Sequence, residues 1–432
     1  MPLTRIVTLA SLLSIPAYAH VGPPAGVEVW HDNGTFVGGH TTFGVVELVD
    51  GTPLWTAEET LTVGLPAFVH RRALGDFIAG TVHGLYRTDN GGCSWVAVPG
   101  ALEDRQVVAM EADPSSPTHL YAVTATYDGD NGLFVSTDNG DTWTATGLLR
   151  SGFFAAEVIV APGAQDLWVH GYEVATEQHV MVHSGDGGTQ WDTTGADWSA
   201  YDFVRLIRRL DDGRFIASAR VADGDRAGEQ DLLVSDDGMA SFDIMQSFAA
   251  PTDGGLDRIL DYWEWGSRRW AVVFPPAVWG VEGSGDLAPL PEGPDWCIDP
   301  SVDSNVLWGC DLVFDGSPYV YTEDGDTWQP AFAPWDIEPR QCPAGTDGET
   351  LNPFYWNALG PPLQPNPDGG PTDGGDSDPD GGDWGPGDGD GDGDGDDGDA
   401  VVKRPKKKGC VSAPGLPWAL AGLLLMARRR RR

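Results

Sequence analysis

The chain has 432 residues, with 65 acidic against 26 basic side chains and a formal net charge of −39. A balance this acidic repels nucleic acid and anionic lipid, so neither is an expected partner of the protein's body; neutral or cationic partners and divalent cations suit it better. Hydrophobic residues make up 41% of the chain, enough for a large core, while its 58 Gly gather in particular places and mark off segments.

In chain order, residues 1–19 read as a secretory signal. Arg5 supplies the basic start, residues 6–15 the apolar core, and Ala17-Tyr18-Ala19 a small-x-small cleavage site. The mature chain then begins at His20, in an exported protein.

Next comes a phrase that repeats. Its fullest copy is Ser136-Thr137-Asp138-Asn139-Gly140-Asp141-Thr142-Trp143. A second copy is Ser184-Gly185-Asp186-Gly187-Gly188-Thr189-Gln190-Trp191. In Thr322-Glu323-Asp324-Gly325-Asp326-Thr327-Trp328, Glu323 takes the place of the acidic residue. Looser copies are centred on Asp89, read with one extra residue before Trp95, and on Asp237, closing on Phe242. Each copy follows an apolar, strand-like run such as Gly132-Leu133-Phe134-Val135. Asp can bond nearby backbone amides and Gly accepts positive φ, so the phrase predicts a tight turn between two strands. Asp89, Asp138, Asp186, Asp237 and Glu323 are therefore expected to form turns rather than hold a ligand. The closing aromatics Trp95, Trp143, Trp191, Phe242 and Trp328 are expected to start the next strand and fill space between sheets.

Successive copies lie 49, 48 and 51 residues apart, counted from Asp89 to Asp237. A period near 50 suits one four-stranded blade of an all-β propeller. The 86 residues from Asp237 to Glu323 exceed one blade, and the stretch from Trp279 to Asp286 reads as an eroded copy. Upstream, Val45 to Gly51 followed by Trp55 reads as another. The expectation is seven blades over residues 20–365, with six as the alternative count. An early strand is expected to complete the last blade and so remove an exposed sheet edge.

The densest aromatic run is Tyr262-Trp263-Glu264-Trp265. Strand alternation puts both Trp on one face, and packing between blades is the expected use of them. Cys297 and Cys310 flank a strand-like stretch and are the preferred disulfide; nothing in the sequence supports a second bridge between Cys93 and Cys342. No Cys-x-x-Cys or His-x-x-x-His cluster points to zinc.

From residue 366 to 399 the chain is nearly all Gly, Asp and Pro. Such a segment cannot bury a core and its charges repel, so 366–402 is expected to be a disordered, extended spacer. Its alternating Asp suit calcium, but EF-hand spacing with a closing Glu is absent, so no cofactor is expected. The tail, 403–432, runs from a Lys/Arg group through Gly409-Cys410 and an apolar stretch to a terminal Arg block. The fully apolar part, 416–427, is shorter than the ~20 residues of a comfortable span. A short hydrophobic helix with the Arg cluster on the inner side is the expectation.

The repeated phrase resembles the Asp-box, or BNR repeat, of sialidases, sortilin-type receptors and photosystem assembly factors. The resemblance covers roughly residues 75–330 and implies a β-propeller in which the box is structural and peripheral. The tail resembles the Myxo-CTERM sorting signal of myxobacterial surface proteins, through Gly409-Cys410, the Pro414-Gly415-Leu416-Pro417-Trp418 run and the Arg block. That implies recognition by a membrane-bound sorting peptidase, processing near Cys410, and display at the cell surface or outer membrane.

A sialidase needs an Arg triad, a Tyr–Glu nucleophile pair and an acid Asp, and its family marks the first Arg with Arg-Ile-Pro, which does not occur in this chain. Arg71, Arg72, Arg205, Arg208, Arg209, Arg268 and Arg269 come mostly in adjacent pairs, of which only one member can face a given pocket. No nucleophile elbow, zincin motif or phosphate loop is present. The expected function is non-catalytic binding of a surface glycan, polymer or protein. The alternatives are a sialidase-like glycoside hydrolase and an assembly or export helper of the envelope.

Overall fold

The computed structural model describes residues 26–359, apart from short stretches at 33–34, 65, 251–258, 266, 274–276, 284, 291–293, 295–296, 301–305, 312–316 and 326. The expected signal, spacer and tail, with Cys410, lie outside the described residues. Seven sheets each hold four antiparallel strands that are consecutive in the chain, and the first gains a fifth strand from residues 338–339. The first strands of successive blades from blade 2 to blade 7 touch one another, and that of blade 7 touches that of blade 1. The seven first strands are Gly26–Asp32, Phe68–Ala73, Val107–Asp113, Phe153–Val160, Tyr201–Arg209, Ile259–Trp265 and Cys297–Pro300. The protein is therefore a seven-bladed β-propeller with those strands innermost.

Both faces of a blade are covered by its neighbours, so an inner strand can carry apolar residues on both of its faces. Phe153–Val160 shows how this works. Val158 and Val160 pack towards Tyr121, Val123 and Leu133 of blade 3, while Ile159 packs towards Val204, Leu206 and Phe215 of blade 5. Four of the outermost strands are short: Val96–Ala97, Asp192–Thr193, Ala288–Pro289 and Gln329–Pro330 have two residues each, which leaves little edge there for another chain to pair with.

The repeated turn joins the third and fourth strands of a blade. In blade 3, Ser136 Oγ donates to Asp138 Oδ1 at 2.8 Å, and the Gly140 N–H donates to Ser136 Oγ at 2.7 Å. Thr142 donates its N–H to Asp138 Oδ1 at 2.9 Å and its hydroxyl to Oδ2 at 2.6 Å. Asn139 and Gly140 take φ of 60° and 87°, which a side chain rarely tolerates. Asp186 and Asp237 accept in the same way in blades 4 and 5. Two copies differ from their sequence register. In blade 2 the acceptor is Asn90, not Asp89: Thr88 donates to Asn90 Oδ1 at 2.8 Å, and Ser94 N–H donates to the same oxygen at 3.1 Å. That copy holds no extra residue. In blade 7 the acceptor is Asp324, not Glu323, with Thr322 and Thr327 as donors at 3.0 and 2.8 Å. The reason is geometric: the acceptor stands two residues after the Ser or Thr. Blade 1 turns instead through Asp50 and Gly51, at φ of 51° and 82°, in a two-residue hairpin.

All five closing aromatics pack between blades: Trp95 against the blade 1–2 core, Trp143 in the 2–3 core, Trp191 against 3–4, Phe242 against 4–5 and Trp328 against 6–7. Asp138→Ala should lower stability by about 1 kcal/mol, because several turn donors lose one acceptor. Chemical denaturation checks this, and a loss well above that size would place the turn in the core of the fold. Hydrogen bonds from Thr142 hold the Asp138 carboxyl at about 2, so its contribution is present above pH 4 and fades as pH falls towards 2.

The ring closes differently from expectation. Among the described residues no early strand enters blade 7, which completes itself with Cys297–Pro300, Leu307–Cys310, Tyr319–Thr322 and Gln329–Pro330. Blade 1 packs directly against it: Phe36 stacks on Trp308 at 4.5 Å, and Tyr319 donates its hydroxyl to the His40 carbonyl at 3.0 Å. The chain after blade 7 then returns over blades 1 and 2 as a strap. Glu338–Pro339 adds as a fifth, parallel strand beside Leu54 and Trp55. Arg340 Nη2 donates to Glu47 at 2.9 Å, and Glu47, fully buried, also accepts from Arg71 and from the Gly75 N–H, each at 3.0 Å. Cys342 is disulfide-bonded to Cys93, 249 residues away. The helix Asp347–Leu359 follows, where buried Asn352 accepts from the Ala57 N–H at 3.0 Å and Trp356 meets Trp55. Cys297 and Cys310 form a second disulfide, between directly paired strand residues of blade 7. Among the described residues, no helix is long and apolar enough to cross a membrane.

Candidate functional site

Polar chemistry concentrates on the inner strands of blades 3 to 6. Arg208, on the inner strand of blade 5, donates to Asp261 Oδ1 of blade 6 at 2.5 Å and to the Ile298 carbonyl of blade 7 at 3.3 Å. Its guanidinium lies over the Trp263 ring, 4.5 Å from the centroid. Asp261 Oδ2 accepts from the Ile298 N–H at 3.1 Å. One arginine thus ties three inner strands together. Its neighbour Arg209 points the other way, over Trp168 and Phe215, as alternation requires.

Glu111, on the inner strand of blade 3, has its carboxyl pushed up to about 8 by burial, partly offset by a hydrogen bond from the Val160 backbone and by the charge of Arg208. The residue keeps some accessible surface, and the protein packed around the carboxyl supplies the desolvation. In blade 4 a chain of three groups runs outwards from the inner strand. Glu157 meets His170 Nδ1 at 2.5 Å, and His170 Nε2 meets His179 Nδ1 at 3.2 Å. Burial first, then His170, lowers His179 to about 3, so its ring stays neutral.

Glu111→Gln tests this environment. The folded protein holds a proton on Glu111 that the unfolded chain releases near pH 4.5, so the carboxyl lowers stability as pH rises from about 4.5 to about 8. The neutral histidines His31, His70 and His179 act oppositely, adding stability as pH rises towards 6.5. Both proteins share the histidines, so the difference between them isolates Glu111. The variant should gain on the wild type between pH 5 and 8, by up to about 1.4 kcal/mol per pH unit. A flat difference across that window means the carboxyl ionises as it does in water.

A Tyr–Glu pair is also present. Tyr262 donates its hydroxyl to Glu264 Oε1 at 2.6 Å, and Arg214 grips the same carboxylate with both terminal nitrogens, at 3.2 and 2.5 Å. Tyr262 is fully buried among Leu210, Ile216 and Phe248, between blades 5 and 6. Burial, followed by Glu264, raises its phenol far above the ordinary range. A nucleophilic phenol needs the opposite shift.

The arginines singled out in the sequence disperse. Arg71 serves Glu47, Arg72 reaches Asp76 and Asp141, and Arg268 and Arg269 donate to backbone carbonyls of Asp324 and Gly283. They lie in different seams and do not converge. Trp263 is partly buried beneath Arg208; the side chain of Trp265 lies outside the described residues. Sequence reading missed Glu111, Glu157, His170 and Asp261, because an isolated acid or histidine in an apolar run carries no spacing signal. Among the described residues, no group of three or more His, Cys, Asp or Glu is placed to hold a metal ion.

No protein-family model and no curated protein matches the chain. Solved structures do. An ancestral enzyme of glycoside hydrolase family 74 is similar at 16% identity and a TM-score of 0.37, over 60% of this chain and 37% of that one. YCF48 from Cyanidioschyzon merolae is similar at 15% identity and a TM-score of 0.34, over 52% of this chain and 69% of that one. The α-L-arabinanase of Penicillium chrysogenum is similar at 13% identity and a TM-score of 0.38, over 56% and 88%. The chain thus spans 37% of the length of the family 74 enzyme. It is the protein's own strand order that makes it a seven-bladed β-propeller.

Proposed function

We propose that the protein is an exported β-propeller, built on Asp-box turns and tethered at the cell surface by its C-terminal tail, that binds a glycan, polymer or protein without catalysing a reaction. The observation that carries this reading is how thoroughly the ring's ionisable groups are engaged with one another. Arg208 is held by Asp261, Arg214 by Glu264, and the buried Tyr262 phenol, bonded to Glu264, is pushed well above its ordinary range. Groups spent on packing blades together are not free to clamp an anionic substrate. The acidic body, 52 acidic against 15 basic side chains over residues 20–365, adds to that by repelling anions.

A glycan array probed with the purified protein tests the reading. A reproducible hit supports a surface lectin, and a blank array moves the search to crosslinking of protein partners on intact cells. Deleting residues 411–432 should release the propeller into the medium, and retention at the surface would refute the tether.

The second reading is a glycoside hydrolase, and Glu111 favours it: a carboxylic acid held protonated near neutral pH is what a general acid requires. Hydrolysis of a polysaccharide panel, lost on Glu111→Gln with no loss of stability, would replace the binding reading with this one.

A further inference from the structure

The strap does more than close the ring: it forms one wall of a groove. A cavity of about 550 Å³ lies along the blade 1–2 seam, lined from blade 1 by Leu54, from blade 2 by Leu74 and Asp89, and from the strap by Glu338, Pro339 and Arg340. Leu74, at a hairpin tip, is 60% exposed. The groove's cation is already used, because Arg340 lies against Gly91 and pairs with Glu47. Its two acids are not: Asp89 and Glu338 are exposed, and Asp89 stands beside the turn acceptor Asn90 without bonding in the turn. The walls are extended backbone, with Glu338–Pro339 running parallel to Thr52–Thr56.

We propose that this groove docks an extended peptide segment of a protein partner, with Lys or Arg side chains set between apolar ones. The proposal rests on the binding-module reading and names its partner class. Apolar side chains of the peptide cover Leu54, Leu74 and Pro339, and its cations meet Asp89 and Glu338. The overall negative charge of the body brings such a segment in. Cys93 also lines the groove, so the Cys93–Cys342 disulfide holds the site in shape.

The test uses the full-length protein and a fluorescein-labelled peptide of alternating Leu and Lys, followed by anisotropy at two salt concentrations. Leu74→Ser should weaken binding at least fivefold. The pair Asp89→Asn and Glu338→Gln should weaken it similarly and flatten its salt dependence. The control pair Asp128→Asn and Asp236→Asn removes the same charge from other exposed turns and should leave affinity within twofold. Equal losses in test and control pairs would mean attraction to the whole acidic surface and would overturn the proposal, as would an unchanged affinity in Leu74→Ser. Thermal midpoints of all variants separate loss of the groove from loss of the fold. A glycan-array hit together with no binding of the peptide would keep the binding-module reading while sinking this site.

Discussion

Replacing Cys93 and Cys342 together with Ser should lower stability by about 5 kcal/mol, whereas replacing Cys297 and Cys310 should cost about 3 kcal/mol. The asymmetry follows from loop length. The first bridge joins residues 249 apart and the second residues 13 apart, and a crosslink that closes the longer loop removes more freedom from the unfolded chain. The first bridge also fixes a strap that contributes no strand to blade 7 and holds blade 1 by one short parallel pairing. Loss of the bridge should therefore do something the other variant does not: expose residues 338–359 to proteolysis before the blades unfold. Guanidinium midpoints and limited digestion measure both effects. Equal losses from the two double variants would show that Glu47, Asn352 and Trp356 hold the strap without the disulfide.

Glu47→Ala should destabilise by about 3–5 kcal/mol, the range for removing one partner of a buried ion cluster. The carboxylate is fully buried and serves Arg71 from blade 2, Arg340 from the strap and the Gly75 N–H. Without it, two largely buried guanidinium groups and a buried amide lose their acceptor at once. Most of that loss belongs to the charges left behind rather than to the attraction itself. In a background carrying Arg71→Met and Arg340→Met, Glu47→Ala should accordingly cost far less. A cost equal in both backgrounds would mean that the cavity, not the charge, is what hurts. Thermal unfolding of the four proteins in the cycle decides this.

The repeated turn and the blades were legible in the sequence because both are local. Ser136, Asp138, Gly140 and Thr142 satisfy one another within seven residues, so their spacing survives as a pattern in the chain. Misplacing the acceptor at Asp89 and Glu323 came from matching acidic letters; the hydroxyl two residues before Asn90 and Asp324 is the truer mark. Blade number could also be counted, because the four antiparallel strands of each blade are one uninterrupted stretch of chain. What the amino-acid sequence by itself determined is therefore the set of short-range units: seven sheets, their turns, and an acidic surface. Tertiary structure alone decided how the ring closes, which cysteine meets Cys93, that Glu47 gathers two arginines from distant segments, and that Glu111 keeps its proton. Each depends on groups tens to hundreds of residues apart, whose meeting is set by packing and desolvation, and neither leaves a period to read along the chain.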